Sequence, residues 1–241
     1  MPLRYRLRQV HTAFGIVLGV QVLLWMASGF VMSWFSLDHV HGETTTAVIY
    51  PAELPTLSYA SPGGIIAQHP RTTEVSLTRF QGKAVYIARS EEGAALFDAN
   101  TGEKLSPLSE EKIREVAKND YVGAGEIVTA KLMDNPPPEY RKAVPVWQVQ
   151  FDDPDATRLY VSPHTGEVLS RRNRVWRIFD FFWMLHIMDY DEREDFNNPL
   201  LRIAAASGLV FALTGLAMVG FRLKDGRLIG TPRPVSSKRG K

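Results

Sequence analysis

The chain has 241 residues, with 28 Lys and Arg against 26 Asp and Glu, and no cysteine. Without cysteine there is no disulfide, no thiolate metal site and no covalent c-type haem attachment. The net charge of +2 comes from basic residues gathered at the two ends, so it is a statement about topology and not a sign of a nucleic-acid partner.

Residues 1–9 form a short basic tail with Arg4, Arg6 and Arg8. Val10 to Leu37 then contains no Asp, Glu, Lys or Arg. A helix of roughly 20 apolar residues crosses a hydrocarbon core about 30 Å thick, and lipid offers the backbone no water, so residues 10–37 are predicted to be a transmembrane helix. The run is longer than the usual core of a cleaved signal peptide, about 7–15 residues, and no A-x-A-like site follows it. It is predicted to stay as an uncleaved anchor.

Residues 38–174 read as one α+β domain. His39, His41 and Glu43 alternate at its start, as in an extended exit from the membrane. Ile65 and Ile66 mark a first short helix. Val75 and Leu77, then Ala84, Tyr86 and Ala88, alternate at period two on either side of Gln81-Gly82, the pattern of a hairpin. Ala94 to Asp98 is a third strand. Ser106 is the predicted cap of a second helix, with Pro107 at its first position and Ile113, Val116 and Ala117 as its buried stripe. Three more strands follow over Glu126–Met133, Val144–Phe151 and Arg158–Val161, the first two separated by Asn135-Pro136-Pro137-Pro138.

The domain carries an internal echo. Leu96 to Leu105 aligns with Tyr160 to Leu169, and both stretches hold Thr-Gly-Glu after a strand end, at Thr101-Gly102-Glu103 and Thr165-Gly166-Glu167. Glycine suits the positive φ of such a turn. Two tandem copies of a helix-plus-three-strand unit are the simplest reading.

Residues 175–190 hold an aromatic apolar stretch, Ile178 to Met188, led by Arg171, Arg172, Arg174 and Arg177. At 1.5 Å per residue it is too short to span. It is predicted to be an interfacial amphipathic helix, its aromatics at headgroup level. An acidic turn, Asp189 to Asp195, precedes Asn198-Pro199 and a second transmembrane helix over residues 203–221. Residues 222–241 are a basic tail opposed only by Asp225. Basic flanks stay inside. This layout predicts a bacterial inner-membrane protein with both termini cytoplasmic and a net-acidic periplasmic domain.

The turn sequences "DANTGEKL" and "VSPHTGEVL" resemble the strand-end motif of PepSY domains. The flanks "HTAFGIVLGVQVLLWMASGFVMS" and "FDFFWMLHIMDY…DFNNPLLRIAAASGLVFALTGLAMVGFRL" are similar to the spans of PepSY-associated transmembrane proteins, here in a short two-span form. Some larger relatives resemble ferric-siderophore reductases that carry haem b between membrane histidines, while PepSY units elsewhere act as inhibitory propeptides. The resemblance therefore implies either a binding role, with a link to iron uptake, or haem b-mediated electron transfer of the ferric-reductase type.

Histidines are the candidate chemistry. His11 opens the first span, with Gly15 and Gly19 one and two turns along its face. Glycine clearance beneath an imidazole suits a haem plane; it is equally a device for close helix packing, which Ala204, Gly208 and Ala212 would match on the second span. His186 corresponds to the "L-H" of the relatives; it reads either as a haem ligand or as a histidine bonded to Asp189 or a headgroup. His11 and His186 lie at opposite membrane faces, so a bis-histidine haem needs a second copy or a partner subunit, unless His186 pairs with His39 or His41. With Glu43, His39 and His41 could also take Zn²⁺ or Cu²⁺, or simply form a solvated linker. His69 and His164 lie beside prolines in polar turns.

No G-x-S-x-G, H-E-x-x-H, Walker A or G-x-G-x-x-G motif is present. The sequence predicts a periplasmic, membrane-anchored accessory or binding module and no independent enzyme. Its expected partners are the lipid bilayer and a membrane protein or a second copy of itself, with no nucleic acid.

Overall fold

A computed structural model describes residues 3–48, 53–54 and 58–224. The chain divides into two compact units, one built from its two ends and the other from residues 35–179. Residues 225–241 of the predicted basic tail lie outside the described residues.

The unit of the chain ends is made of long apolar helices. Helix α1 covers Leu3–Trp34 and α6 covers Pro199–Lys224, and both are long and apolar enough to cross a membrane. Neither contains an acid. Pro199 opens α6, four residues before the predicted span, and the Asn198 side-chain oxygen accepts from Leu201 N at 2.8 Å, satisfying one of the free first-turn amides. The two helices pack with aromatic rings set on glycines. The Phe211 ring lies where a Cβ on Gly15 would come within 3.1 Å, and Trp25 reaches 4.0 Å from the same point on Gly208. Their remaining surface is apolar and open, with Ile16, Val17, Val20 and Leu23 on α1 and Leu209, Leu213 and Leu216 on α6 all exposed.

The middle unit is a mixed helix and sheet structure. Short helices α2 (Leu37–His41) and α3 (Pro62–Gln68) precede an antiparallel sheet of β1 (Glu74–Phe80), β2 (Lys83–Ser90) and β3 (Gly93–Asp98). Gln81 and Gly82, at φ 50° and 79°, make the predicted hairpin turn, since two successive left-handed residues match the strand twist. Helix α4 (Glu110–Asp120) leads into a second antiparallel sheet of β4 (Ile127–Met133), β5 (Val146–Phe151), β6 (Arg158–Val161) and β7 (Val168–Arg172). Helix α5 (Arg174–Ile187) follows, its first six residues in this unit and the rest, from Asp180, in the unit of the chain ends.

Period-two burial splits the first sheet between two cores. Ala84, Tyr86 and Ala88 pack with Phe97 on Ile65 of α3. Val85, Ile87 and Leu96 face the other way and join Ile113, Val116 and Ala117 of α4 with Val149, Phe151, Leu159 and Val161 of the second sheet. The predicted α4 stripe is thus the centre of the main core. The opposite face of the second sheet is closed by Tyr140, stacked on Tyr160 with ring centroids 4.7 Å apart.

Three expectations need correction. Ser106 is not the α4 cap: its Oγ accepts from Leu96 N at 3.1 Å, so the chain is still bound to β3 there, and Ser109 caps the helix through Lys112 N. The second helix unit is followed by four strands instead of three. Residues 37–41 are helical and not extended, because Ser36 caps them at one end and Gly42, at φ 75°, ends them at the other.

Candidate ligand-binding site

His11 sits on the side of α1 that meets α6. Its ring stacks on Phe211, with centroids 4.2 Å apart and planes 9° from parallel. Nδ1 lies 3.1 Å from the Phe211 carbonyl oxygen and 3.0 Å from Thr214 Oγ1, which itself donates to the same carbonyl at 2.8 Å. A carbonyl only accepts, so Nδ1 carries a proton, and in the neutral ring Nε2 holds the lone pair. The glycine that clears space for this ring is Gly215, where a Cβ would stand 3.1 Å from His11 Cε1. Gly15 is instead covered by Phe211, and Gly19 has nothing within 4 Å.

A cleft of about 1080 Å³ opens beside this histidine, between the start of α1 and the end of α6. His11 and Gly215 line its inner part, Leu216 and Val219 its apolar wall, and Arg8 and Arg222 its outer end.

His186 is held by the same arrangement near the other end of α1. Its Nδ1 is 3.0 Å from Ser28 Oγ, and Ser28 is fully buried. When the Ser28 hydroxyl donates to the Trp25 carbonyl, 3.1 Å away, its Oγ accepts from Nδ1, and in the neutral ring Nε2 is the free lone pair. Trp25 Nε1 donates to the His186 carbonyl at 2.8 Å, and Asn198 Nδ2 to the Ile187 carbonyl at 3.0 Å, fixing the end of α5. The predicted alternative partner, Asp189, is engaged elsewhere: its carboxylate accepts backbone N–H groups of Asp191, Glu194 and Asp195. Seventeen residues of α1 separate His11 from Ser28, about 25 Å at 1.5 Å per residue.

His39 and His41, two apart on helical α2, do not share a face. His39 Nε2 is 3.5 Å from Asp155 Oδ2 and His41 Nδ1 is 3.8 Å from Glu43 Oε1. Among the described residues, no three His, Asp or Glu side chains gather as a metal site. The linked trio expected of an extended strand is therefore taken apart by the helical turn.

The sequence pointed to the histidines but not to their supports. Thr214, Ser28 and Trp25 are polar groups inside apolar runs, and that rarity was the available signal. Glu139 gave none. It closes a charge cluster on the outer face of the second sheet, accepting from Arg177 Nε at 2.7 Å, Tyr160 Oη at 2.7 Å and Arg158 Nη1 at 3.0 Å. Burial pushes its carboxyl up, but Arg177, Tyr160 and Arg158 together outweigh this and hold it below the usual glutamate value. Burial and the neighbouring carboxylate push the Tyr160 phenol up, so it stays a donor.

The two Thr-Gly-Glu turns share one hydrogen-bond scheme. Asp98 Oδ1 accepts from Asn100 N and Thr101 N, and Ser162 Oγ from His164 N and Thr165 N. Gly102 N and Gly166 N bond back to the carbonyls of Asp98 and Ser162, with φ of 75° and 72°. The backbone bonds hold the Asp98 carboxyl below its ordinary value despite the opposing effect of burial. Neither curated proteins nor solved structures yield a match to this chain. A family model described as "Peptidase propeptide and YPEB domain" matches residues 107–172, which are α4 and β4 to β7 with their approach. The second turn and its sheet thus lie inside the match, and the chain carries a PepSY domain at residues 107–172, with a long apolar helix toward each end.

Proposed function

We propose that this protein is a membrane-anchored PepSY module of the bacterial inner membrane, with a periplasmic middle region, cytoplasmic ends and a non-catalytic binding or accessory role linked to iron uptake. One observation carries the reading: α1 and α6 keep large apolar side chains open around most of their surface, as helices facing lipid do, while the middle unit closes two cores of its own. The shared turn scheme supports descent of that unit from a tandem pair. Turn carboxylates of the unit are occupied by backbone and hydroxyl donors, Asp98 as above and Asp153, between β5 and β6, by Thr157 N and Oγ1, which fits binding better than acid–base chemistry. Carbonate-washed membranes are expected to retain the chain. Protease added to spheroplasts should digest residues 35–179 and spare both ends; an exported reporter fused to Lys241 would overturn the topology.

A second reading, haem b-mediated electron transfer, is favoured by the two histidines. A metal-binding imidazole typically donates its other nitrogen to a fixed oxygen, which orients the ring and raises its basicity. With Nδ1 protonated, His11 would do so through Thr214 and Phe211 O and His186 through Ser28, which leaves each Nε2 to hold a haem iron. A bound haem would supply one-electron chemistry. The separation along α1 means that His11 and His186 of one chain would not hold the same iron, so a bis-histidine site would need a further histidine. A reduced-minus-oxidised spectrum of detergent-purified protein is expected to show a b-type α-band, lost in both His11→Ala and His186→Ala. A colourless wild-type chain removes this reading for the isolated protein.

A further inference from the structure

The cleft between α1 and α6 has a composition that neither reading explains. Its outer end carries Arg8 and Arg222, and neither helix contributes an acid to neutralise them. From Phe211 to Arg222 it follows α6 for 11 residues, about 16 Å at 1.5 Å per residue, and Leu216, Val219 and Phe221 make that wall apolar. At its inner part Gly215 leaves the His11 ring uncovered by any side chain of its own, and with Nδ1 bonded to Phe211 O and Thr214 the neutral ring presents Nε2 as an acceptor. A ligand that complements all three features is anionic at one end, bears an O–H near the charge and has an apolar tail.

We propose that this cleft is a binding site for an anionic glycerophospholipid with a hydroxyl-bearing headgroup, of which phosphatidylglycerol is the simplest. The phosphate diester pairs with Arg8 and Arg222, as basic pockets between spanning helices pair with lipid headgroups. A headgroup hydroxyl donates to His11 Nε2, and the first part of an acyl chain lies along Leu216 and Val219. Arginine suits this better than lysine because its fork bonds two phosphate oxygens at once. The inference rests on the membrane reading of α1 and α6, and does not depend on the role of the middle unit.

The test is native mass spectrometry of the full chain released from mixed vesicles of phosphatidylglycerol, phosphatidylethanolamine and phosphatidylpropanol, the last having the same charge without the headgroup hydroxyls. Wild type is expected to retain phosphatidylglycerol over both others. Arg8→Ala/Arg222→Ala should lower retention of both anionic lipids by about tenfold, the loss of one or two charge-assisted bonds, and Arg8→Lys/Arg222→Lys should restore part of it. His11→Phe should equalise phosphatidylglycerol and phosphatidylpropanol while keeping both above phosphatidylethanolamine. Equal retention of all three by wild type, unchanged retention in the double alanine variant, or a porphyrin held in place of lipid would overturn the proposal. Retention of each variant in carbonate-washed membranes separates these outcomes from failure of the membrane reading.

Discussion

Replacing Glu139 with alanine is expected to destabilise the middle unit by about 3–5 kcal/mol, the cost of removing one partner from a buried ion pair. The Glu139 side chain is 11% exposed and its partners Arg158 and Arg177 are 30% and 29% exposed, so solvent screens the cluster weakly. Alanine leaves two guanidinium groups and the Tyr160 hydroxyl facing one another without a carboxylate. Arg158 Nε, buried with no hydrogen-bond partner, has no reserve of bonding to offset the loss. Amide hydrogen exchange of β5 and β6 in the full chain reads this local stability, and protection there should fall on the order of 10²–10⁴-fold. The exposed pair of Arg71 and Glu92 is the control: at 76% and 65% exposure, Glu92→Ala should cost at most about 1 kcal/mol.

The same cluster sets a pH dependence. Because the folded protein holds the Glu139 carboxyl below its ordinary value near 4.5, the unfolded chain binds that proton more readily. The contribution is complete above about pH 4.5 and is lost as pH falls through the lowered folded value. Protection of β5 and β6 should therefore drop on acidification in wild type, and Glu139→Gln should start lower and change less over that window. An equal acid response in the glutamine variant would show that other carboxylates carry it.

Local pattern was readable where the residue and its partner are close along the chain or where one period fixes a face. The Gln81-Gly82 hairpin, the α4 stripe of Ile113, Val116 and Ala117, and the two long apolar helices follow from such rules. What failed depends on competition between partners. Ser106 carries the cap residue type, but Leu96 N reaches its hydroxyl first, and Ser109 serves instead. His39 and His41 alternate as a strand would, yet Ser36 and Gly42 make the segment a helical turn. His11 was legible as a polar group in a span, while its supports lie some 200 residues away, at Phe211 and Thr214. Gly15 carried the expected clearance, but for Phe211 and not for the imidazole, because only packing decides which ring faces which glycine. Glu139 follows three prolines in a loop, and nothing near it in sequence announces Arg158, Tyr160 and Arg177.

The paired turns give the second large effect, because one motif stands in two environments. Gly102 and Gly166 both adopt left-handed φ, so alanine at either costs about 1 kcal/mol from backbone conformation. At Gly102 the added Cβ would meet the Ala60 Cβ at 3.3 Å, a contact that a small shift relieves. At Gly166 it would lie 2.3 Å from Phe80 Cε2 and 3.1 Å from Leu108 Cδ1. Phe80 packs on the main core, and Leu108 is tied to the turn by its amide bond to the Pro163 carbonyl at 2.7 Å, so neither moves freely. Overpacking adds about 1–3 kcal/mol. Gly166→Ala is thus expected to cost about 2–4 kcal/mol against about 1–2 for Gly102→Ala, read as loss of amide protection across β6 and β7. A double-mutant cycle isolates the cause: in a Phe80→Ala background the ring is gone, and Gly166→Ala should cost only the backbone share, about 1 kcal/mol. If the cost is undiminished there, the turn conformation or the remaining Leu108 contact, and not Phe80, makes Gly166 indispensable.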